Sequence, residues 1–209
     1  ANPAYSWETN KKAEISLTLG FFKDRVLTTA SFFQNRSSNQ LVGYSLAPTT
    51  GFSSVQANLP ATVQNTGIEI SLSALALKSK QFEWNTELTL SVPHNKLIAF
   101  PNLAKNSGYS YIFTIGQPLN QFKGFHYSGV DPQTGLFNFL DNNGLLTTNP
   151  VFPNDYNFSK KLGPVYYGGW DNRVRFHHFE LSVFLQYVKQ NARNYFYVSP
   201  VPGMYGNQP

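Results

Sequence analysis

The sequence contains no cysteine and a single methionine, Met204. Disulfide staples, thiolate zinc sites and thiol nucleophiles are therefore excluded. Charge is scarce as well. Only 13% of the 209 residues are Asp, Glu, Lys or Arg, about half the share of an ordinary soluble domain. No run of ~18 to 20 apolar residues occurs, which excludes a membrane-crossing helix. Ala, Glu, Lys and Leu do not dominate, which excludes a coiled coil. There is no internal repeat on the scale of roughly 20–50 residues. There is also no Gly-rich phosphate loop, no Gly-x-Ser-x-Gly and no His-Glu-x-x-His.

What remains is apolar and aromatic. Hydrophobic residues make up 41% and aromatics 16%, with 18 Phe and 12 Tyr. That is too much apolar surface for a disordered chain. Abundant Asn and Gly beside the aromatics point to an all-β protein. Net charge is +5 with a pI near 9.3. The basic residues are scattered, with no run longer than Lys11-Lys12 or Lys160-Lys161. Nucleic-acid binding calls for a basic stripe, so no nucleic-acid partner is expected. Ala1 is not an initiator, no signal peptide is present, and Tyr205–Pro209 reads as loop. The chain is therefore expected to be a piece of a longer protein.

Period-2 alternation is the main structural signal. Ala13, Ile15, Leu17, Leu19 and Phe21 share one face of a first strand, with Glu14, Ser16 and Thr18 on the other. Ile68, Ile70, Leu72, Ala74 and Ala76 alternate with Glu69, Ser71 and Ser73. Trp84, Leu88 and Leu90 alternate with Glu83, Glu87 and Thr89; Phe179, Leu181, Val183 and Leu185 alternate with Glu180 and Ser182. Together with two weaker β-rich segments, this predicts strands near 12–22, 25–35, 65–77, 82–91, 165–176 and 179–190.

The connections alternate short and long. Short links fall at Lys23-Asp24-Arg25, Lys78-Ser79-Lys80 and His177-His178, and long loops are expected over 36–64 and 92–164. Transmembrane β-barrels have this rhythm, with short turns on one side and long loops on the other. A soluble sandwich gives similar alternation but rarely carries such loops. Aromatics near the short turns (Phe21, Phe22, Phe82, Trp84, Phe176, Phe179) and toward the far ends (Phe32, Phe33, Tyr187) suit two interfacial girdles. They would equally suit core packing. The expected fold is an all-β, antiparallel up-and-down meander of about six strands with long loops, part of a large transmembrane β-barrel.

Five segments carry a family resemblance. Asn2-Pro3-Ala4-Tyr5-Ser6-Trp7-Glu8, Gly20-Phe21-Phe22-Lys23-Asp24-Arg25 and Asn65-Thr66-Gly67-Ile68-Glu69 come first. Gly116-Gln117-Pro118 through Gly124-Phe125 follows, then Gly168-Gly169-Trp170-Asp171-Asn172 with Phe179-Glu180-Leu181-Ser182-Val183-Phe184-Leu185-Gln186. In this order they resemble the C-terminal barrel region of the SusC/RagA family of TonB-linked (TonB-dependent) outer-membrane transporters, over roughly residues 2–190. The resemblance implies one partial TonB-dependent receptor β-barrel domain over 1–209 and an outer-membrane location in Bacteroidetes. It also implies uptake of large nutrients, oligosaccharides or peptides. The implied partners are a SusD-like surface lipoprotein, membrane lipid and TonB, the last through a plug region that this chain lacks. The family's Asp/Asn/Gly-rich run appears here as Asp141-Asn142-Asn143-Gly144 without a later carboxylate, which fits an Asn-Gly turn better than a calcium loop.

No catalytic residues, metal ligands or cofactor are expected. Glu83 and Glu87 share a face because strand spacing puts them there, not because anything marks a shifted carboxylate. His177-His178 has no further ligand at metal spacing. Ligand contact is expected from aromatics and amides of the long loops: Tyr44, Phe52, Tyr109, Tyr111, Phe125, Tyr127, Phe137 and Asn138. Ring faces stack on sugars and amides hydrogen-bond to them, although such residues also hold long loops together. The competing reading is a soluble β-rich carbohydrate-binding module.

Overall fold

The computed structural model describes residues 5–193, apart from 46–48, 50, 52 and 106. The Asn2–Ala4 part of the first motif and Phe52 lie outside the described residues. The chain divides into two compact units, one built from residues up to Leu119 with Pro164–Lys189, the other from Asn120–Gly163 with the residues from Gln190 on.

The first unit holds a six-stranded antiparallel sheet. Its strands are β1 (Thr9–Phe21), β2 (Val26–Ser45), β3 (Ser54–Lys78), β4 (Phe82–Ala99), β10 (Gly163–Phe176) and β11 (Phe179–Asn191). Their order is β1-β2-β3-β4-β10-β11, so chain neighbours are sheet neighbours and the topology is a meander. A turn Leu103–Lys105 and a short helix α1 (Ser107–Ser110) follow β4. The second unit contains β5 (Gln121–Gly124) paired with β9 (Phe158–Lys161), and a three-stranded sheet of β6 (His126–Val130), β7 (Phe137–Leu140) and β8 (Leu146–Thr147). Among the described residues no helix is long and apolar enough to cross a membrane, which says nothing about crossing by strands.

The short connections are tight for local reasons. Phe22, Lys23 and Asp24 all have positive φ, of 56°, 58° and 62°. Asp24 curls back until its carboxylate lies where a Cβ on Gly20 would be, so a larger residue there would push the Asp24 side chain aside. Ser79 closes the next turn, its Oγ accepting the Phe82 N–H at 3.0 Å. His177, at φ 53°, closes the third.

The stretch 36–64, expected as a loop, is mostly strand. The β2–β3 pairing runs on from Ser38↔Thr62 to Ser45↔Ser54. Its Ser, Asn and Gln lack alternation because ladder hydrogen bonds form without an apolar face to sort the side chains. A register shift between Ser38 and Gln40, with Asn39 at φ 60°, marks where this outer hairpin begins. An amide clasp holds it there. Asn58 Nδ2 donates to the Ser6 and Asn39 carbonyls at 2.8 and 2.9 Å, and the Ser6 N–H donates to Asn58 Oδ1 at 3.0 Å. Likewise β4 runs to Ala99, beyond the expected 91.

Candidate transport surface

Cross-strand register sorts the side chains of the large sheet into two faces, because directly paired residues project to the same side. One row reads Leu17, Ala30, Ile70, Leu90, Gly168. The next reads Leu19, Thr28, Leu72, Leu88, Trp170. Ile15, Phe32, Ile68 and Val92 form a third. This face is apolar and uncovered: Ile15 is 72% exposed, Leu17 60% and Phe179 78%. The buried hydrophobic residues described are Ala61, Val63, Leu97, Phe100 and Leu103, at the outer end of the sheet and not along the rows.

The opposite face is polar. Ser16, Ser31, Glu69, Ser91 and Tyr167 form one row; Thr18, Thr29, Ser71, Thr89 and Gly169 the next. Hydroxyls pair across it, Ser31 Oγ to Ser16 Oγ at 2.9 Å and Thr18 with Thr29 at 3.0 Å. Shallow hollows open here, one of about 450 Å³ lined by Lys12, Ala13, Glu14, Phe33, Asn35 and Glu69. Glu87 stands directly across from Asp171. Glu83 lies near the short turns, 2.9 Å from the Arg175 guanidinium and 3.7 Å from Lys78. The two glutamates first noticed for their spacing therefore differ in setting: Glu83 is ion-paired, and Glu87 faces another carboxylate.

Aromatic rings cover three glycines of the sheet. Phe33 lies over Gly67, Phe184 over Gly169 and Tyr187 over Gly168, each within 3 Å of where a Cβ would stand. Tyr187 Oη then donates to the Thr89 carbonyl at 2.7 Å, reaching past β10 to β4. The expected grouping of Phe33 with Phe32 in one girdle fails for this reason. Phe33 projects to the polar face, drawn over a glycine. The Phe32-Phe33 doublet, which breaks alternation opposite Gly67, was the available signal. On the apolar face the two tryptophan N–H groups are satisfied within the sheet: Trp84 Nε1 donates to Asn172 Oδ1 at 3.1 Å and Trp170 Nε1 to Thr86 Oγ1 at 2.8 Å. Unpaired N–H groups there would be costly away from water.

The loop residues singled out from sequence do not converge on one pocket. Tyr44 lies in the outer half of β2, and Phe52 lies outside the described residues. Tyr109 packs between Phe100 and Phe113, ring centroids 5.5 and 6.0 Å away. Tyr111 is 44% exposed. In the second unit Phe125 is held edge-on by Phe139 and Tyr156. Tyr127 and Phe137 are exposed and meet edge-to-face at 5.8 Å. Asn138 is half-buried beside them on β7. The Asp141 run is a turn. Asp141 Oδ1 accepts the N–H groups of Asn143 and Leu145, both at 2.8 Å, and Gly144 takes φ 79°. Asp155, 7% exposed, holds the same loop by accepting the Asn142 N–H at 2.8 Å and the Val151 N–H at 2.6 Å.

Comparison with known proteins agrees with this architecture. TonB-dependent receptor P3 of Formosa agariphila is 24% identical over 213 residues, covering 89% of this chain and 21% of the receptor. TonB-dependent receptor P39 of the same organism is 26% identical over 179 residues, covering 84% of this chain and 17% of the receptor. The chain thus spans about a fifth of the length of these curated relatives. Among solved structures, the RagAB peptide importer matches with a TM-score of 0.70 in its closed-closed state and 0.72 in its open-open state, at 20% and 21% identity. Each match covers 90% of this chain, and 22% and 21% of the importer chain respectively. At that identity the likeness is one of fold. The family model for the TonB dependent receptor-like β-barrel matches residues 1–205. The chain belongs to the TonB-dependent receptor β-barrel family.

Proposed function

We propose that this chain is an arc of an outer-membrane barrel wall in a receptor that imports large nutrients. In this reading the apolar rows meet lipid, and the polar rows with Glu14, Ser16, Thr18, Glu69, Ser71, Glu83 and Glu87 line the lumen. The residues over 1–209 form one partial barrel domain, with its short turns on the periplasmic side and its long connections outside. A surface lipoprotein of the SusD type would close the mouth, and TonB would supply energy through a plug region elsewhere in the receptor. The cargo is an oligosaccharide or a peptide; the RagAB neighbours, described as a peptide importer, favour peptide. The loop residues Tyr44, Phe52, Tyr109, Tyr111, Phe125, Tyr127, Phe137 and Asn138 are proposed as separate cargo contacts, of which Tyr111, Tyr127 and Phe137 are exposed. Nothing in this arc performs bond chemistry.

The observation that carries the reading is the uncovered apolar face. Monomeric soluble proteins rarely expose a contiguous apolar patch beyond a few hundred Å², and a soluble carbohydrate-binding module would pack a second sheet against it. Nitroxide labels placed singly along β1, from Glu14 to Leu19, in the assembled receptor test it. Odd-numbered positions are expected to favour collisions with oxygen dissolved in lipid, even-numbered ones with a water-soluble nickel chelate. Loss of that two-residue alternation would refute the facing.

A further inference from the structure

The buried cluster at the outer end of the sheet lies on an informative side. Val63 pairs with Leu97, and β3 runs without a register shift from Val63 to Leu75. Val63 therefore shares the face of Asn65, Gly67, Glu69 and Ser71, the polar one. Leu97 is 1% exposed, and Phe100 and Leu103 are buried with it, while Tyr109, Phe113 and Leu119 pack around them. The chain leaving β4 thus folds back over the polar face and not away from the wall.

Its far end is fastened to the edge of β4 by backbone hydrogen bonds, which lie in the plane of the sheet, and to the polar face by the Asn95 amide. The Leu97 N–H donates to the Gln117 carbonyl at 2.9 Å and the Gly116 N–H to the Leu97 carbonyl at 2.8 Å. Asn95, on the same face, accepts the Leu119 N–H at 2.8 Å and donates to Asn65 Oδ1 at 2.7 Å. Tyr111, Ile112 and Ile115 stay exposed, at 44%, 54% and 53%.

We infer that Phe100–Lys105 and Gly108–Leu119 form a fixed inner rim, packed on the lumen wall, that narrows the mouth and limits the size of solute admitted. This rests on the proposal that the polar face lines the lumen. A layer of side chains packed on a sheet adds about 10 Å, so the rim takes cross-section from the opening. Its hydrophobic footing and its three anchoring hydrogen bonds to β4 make it a constant constriction and not a swinging lid.

The test uses the full-length receptor in outer membranes with Ser91→Cys as reporter. This arc has no cysteine of its own, and Ser91 lies on the polar face roughly 20 Å along β4 from Leu97 at the usual strand rise. Two maleimides are compared from the outside, one small and charged, the other carried on a long polyethylene-glycol chain. The small reagent is expected to label. The long one should label poorly, then several-fold faster when Phe100→Ala and Leu103→Ala loosen the rim. Asn95→Ala, which releases Leu119 and the Asn65 amide but leaves the apolar footing in place, should give a smaller rise in the same direction and serves if the double variant fails to assemble. Equal labelling by the long reagent with and without these changes would overturn the rim. Failure of the small reagent at Ser91→Cys, with labelling instead at Leu90→Cys, would overturn the lumen assignment beneath it.

Discussion

At the scale of single residues, the glycine pair of β10 joins three strands. Gly168 leaves room for Tyr187 to cross to Thr89 on β4, and Gly169 leaves room for Phe184 on the other face. A methyl group on Gly168 would collide with the Thr89 carbonyl, which is backbone and cannot step aside. Gly168→Ala is expected to cost about 1–3 kcal/mol, the usual range for overpacking. Tyr187→Phe, which keeps the ring and removes one hydrogen bond, should cost only about 0.5–1.5 kcal/mol. Urea titration of the folded receptor in detergent would rank the two, and a smaller loss for Gly168→Ala would contradict the packing described. The lipid-facing assignment has its own single-residue check. Leu88→Arg should cost ~2–4 kcal/mol near the bilayer midplane, whereas Leu88→Thr should cost much less. Equal losses in the same titration would place Leu88 on the water side.

At the scale of elements, the second unit depends on carboxylates that cap backbone turns. Asp155 is buried and takes two backbone N–H groups that no other described acceptor serves. Asp155→Ala should cost about 1.5–3 kcal/mol for each charge-assisted hydrogen bond lost. Faster amide exchange at Asn142 and Val151 would report it, and unchanged exchange would refute the role. Asp131 is half-buried and holds the turn after β6. Its carboxyl lies below the usual carboxylate range because the N–H groups of Thr134 and Gln133 donate to it. A carboxylate with a depressed folded value stabilises the fold above its unfolded value, and that contribution disappears as pH falls through the folded one. The Gln133 and Thr134 amides should therefore stay protected in mild acid and open only in strong acid. An Asp131→Asn variant should show no such pH dependence.

The same scale shows what was legible in advance. β1 alternates cleanly, so its sequence alone declares strand, face and approximate ends. The outer parts of β2 and β3 do not, because Ser37 to Gln40 and Gln56 to Asn58 meet no greasy surface to sort them. Asp155 was invisible because a turn-capping carboxylate leaves no pattern beyond its own letter. The loop aromatics were legible as aromatics only. Whether a ring such as Tyr109 stacks on neighbours or stays open like Tyr127 depends on the tertiary path of the chain.

At the scale of the whole molecule, the six-stranded sheet works as two surfaces with no interior between them. In the proposed barrel wall its stability would come from ladder hydrogen bonds, cross-strand pairs and surrounding lipid, and scarce charge would reflect contact with hydrocarbon and not a dense core. In water without detergent or lipid, a receptor carrying this face should associate. Light scattering on removal of detergent would show it, and a stable monomer would count against a lipid-facing surface.

The irregularities at Ser38/Gln40 and at Thr62/Val63 lie level with one another, between the apolar rows and the outer hairpin. In any strand, a slip of one residue sends every side chain to the wrong face. Two bulges in line absorb such a slip before it reaches the rows below. The outer hairpin can therefore gain, lose or exchange residues without turning Leu17, Ile70 or Leu88 to the other face of the sheet. The wall is thereby insulated from the changing demands placed on its rim.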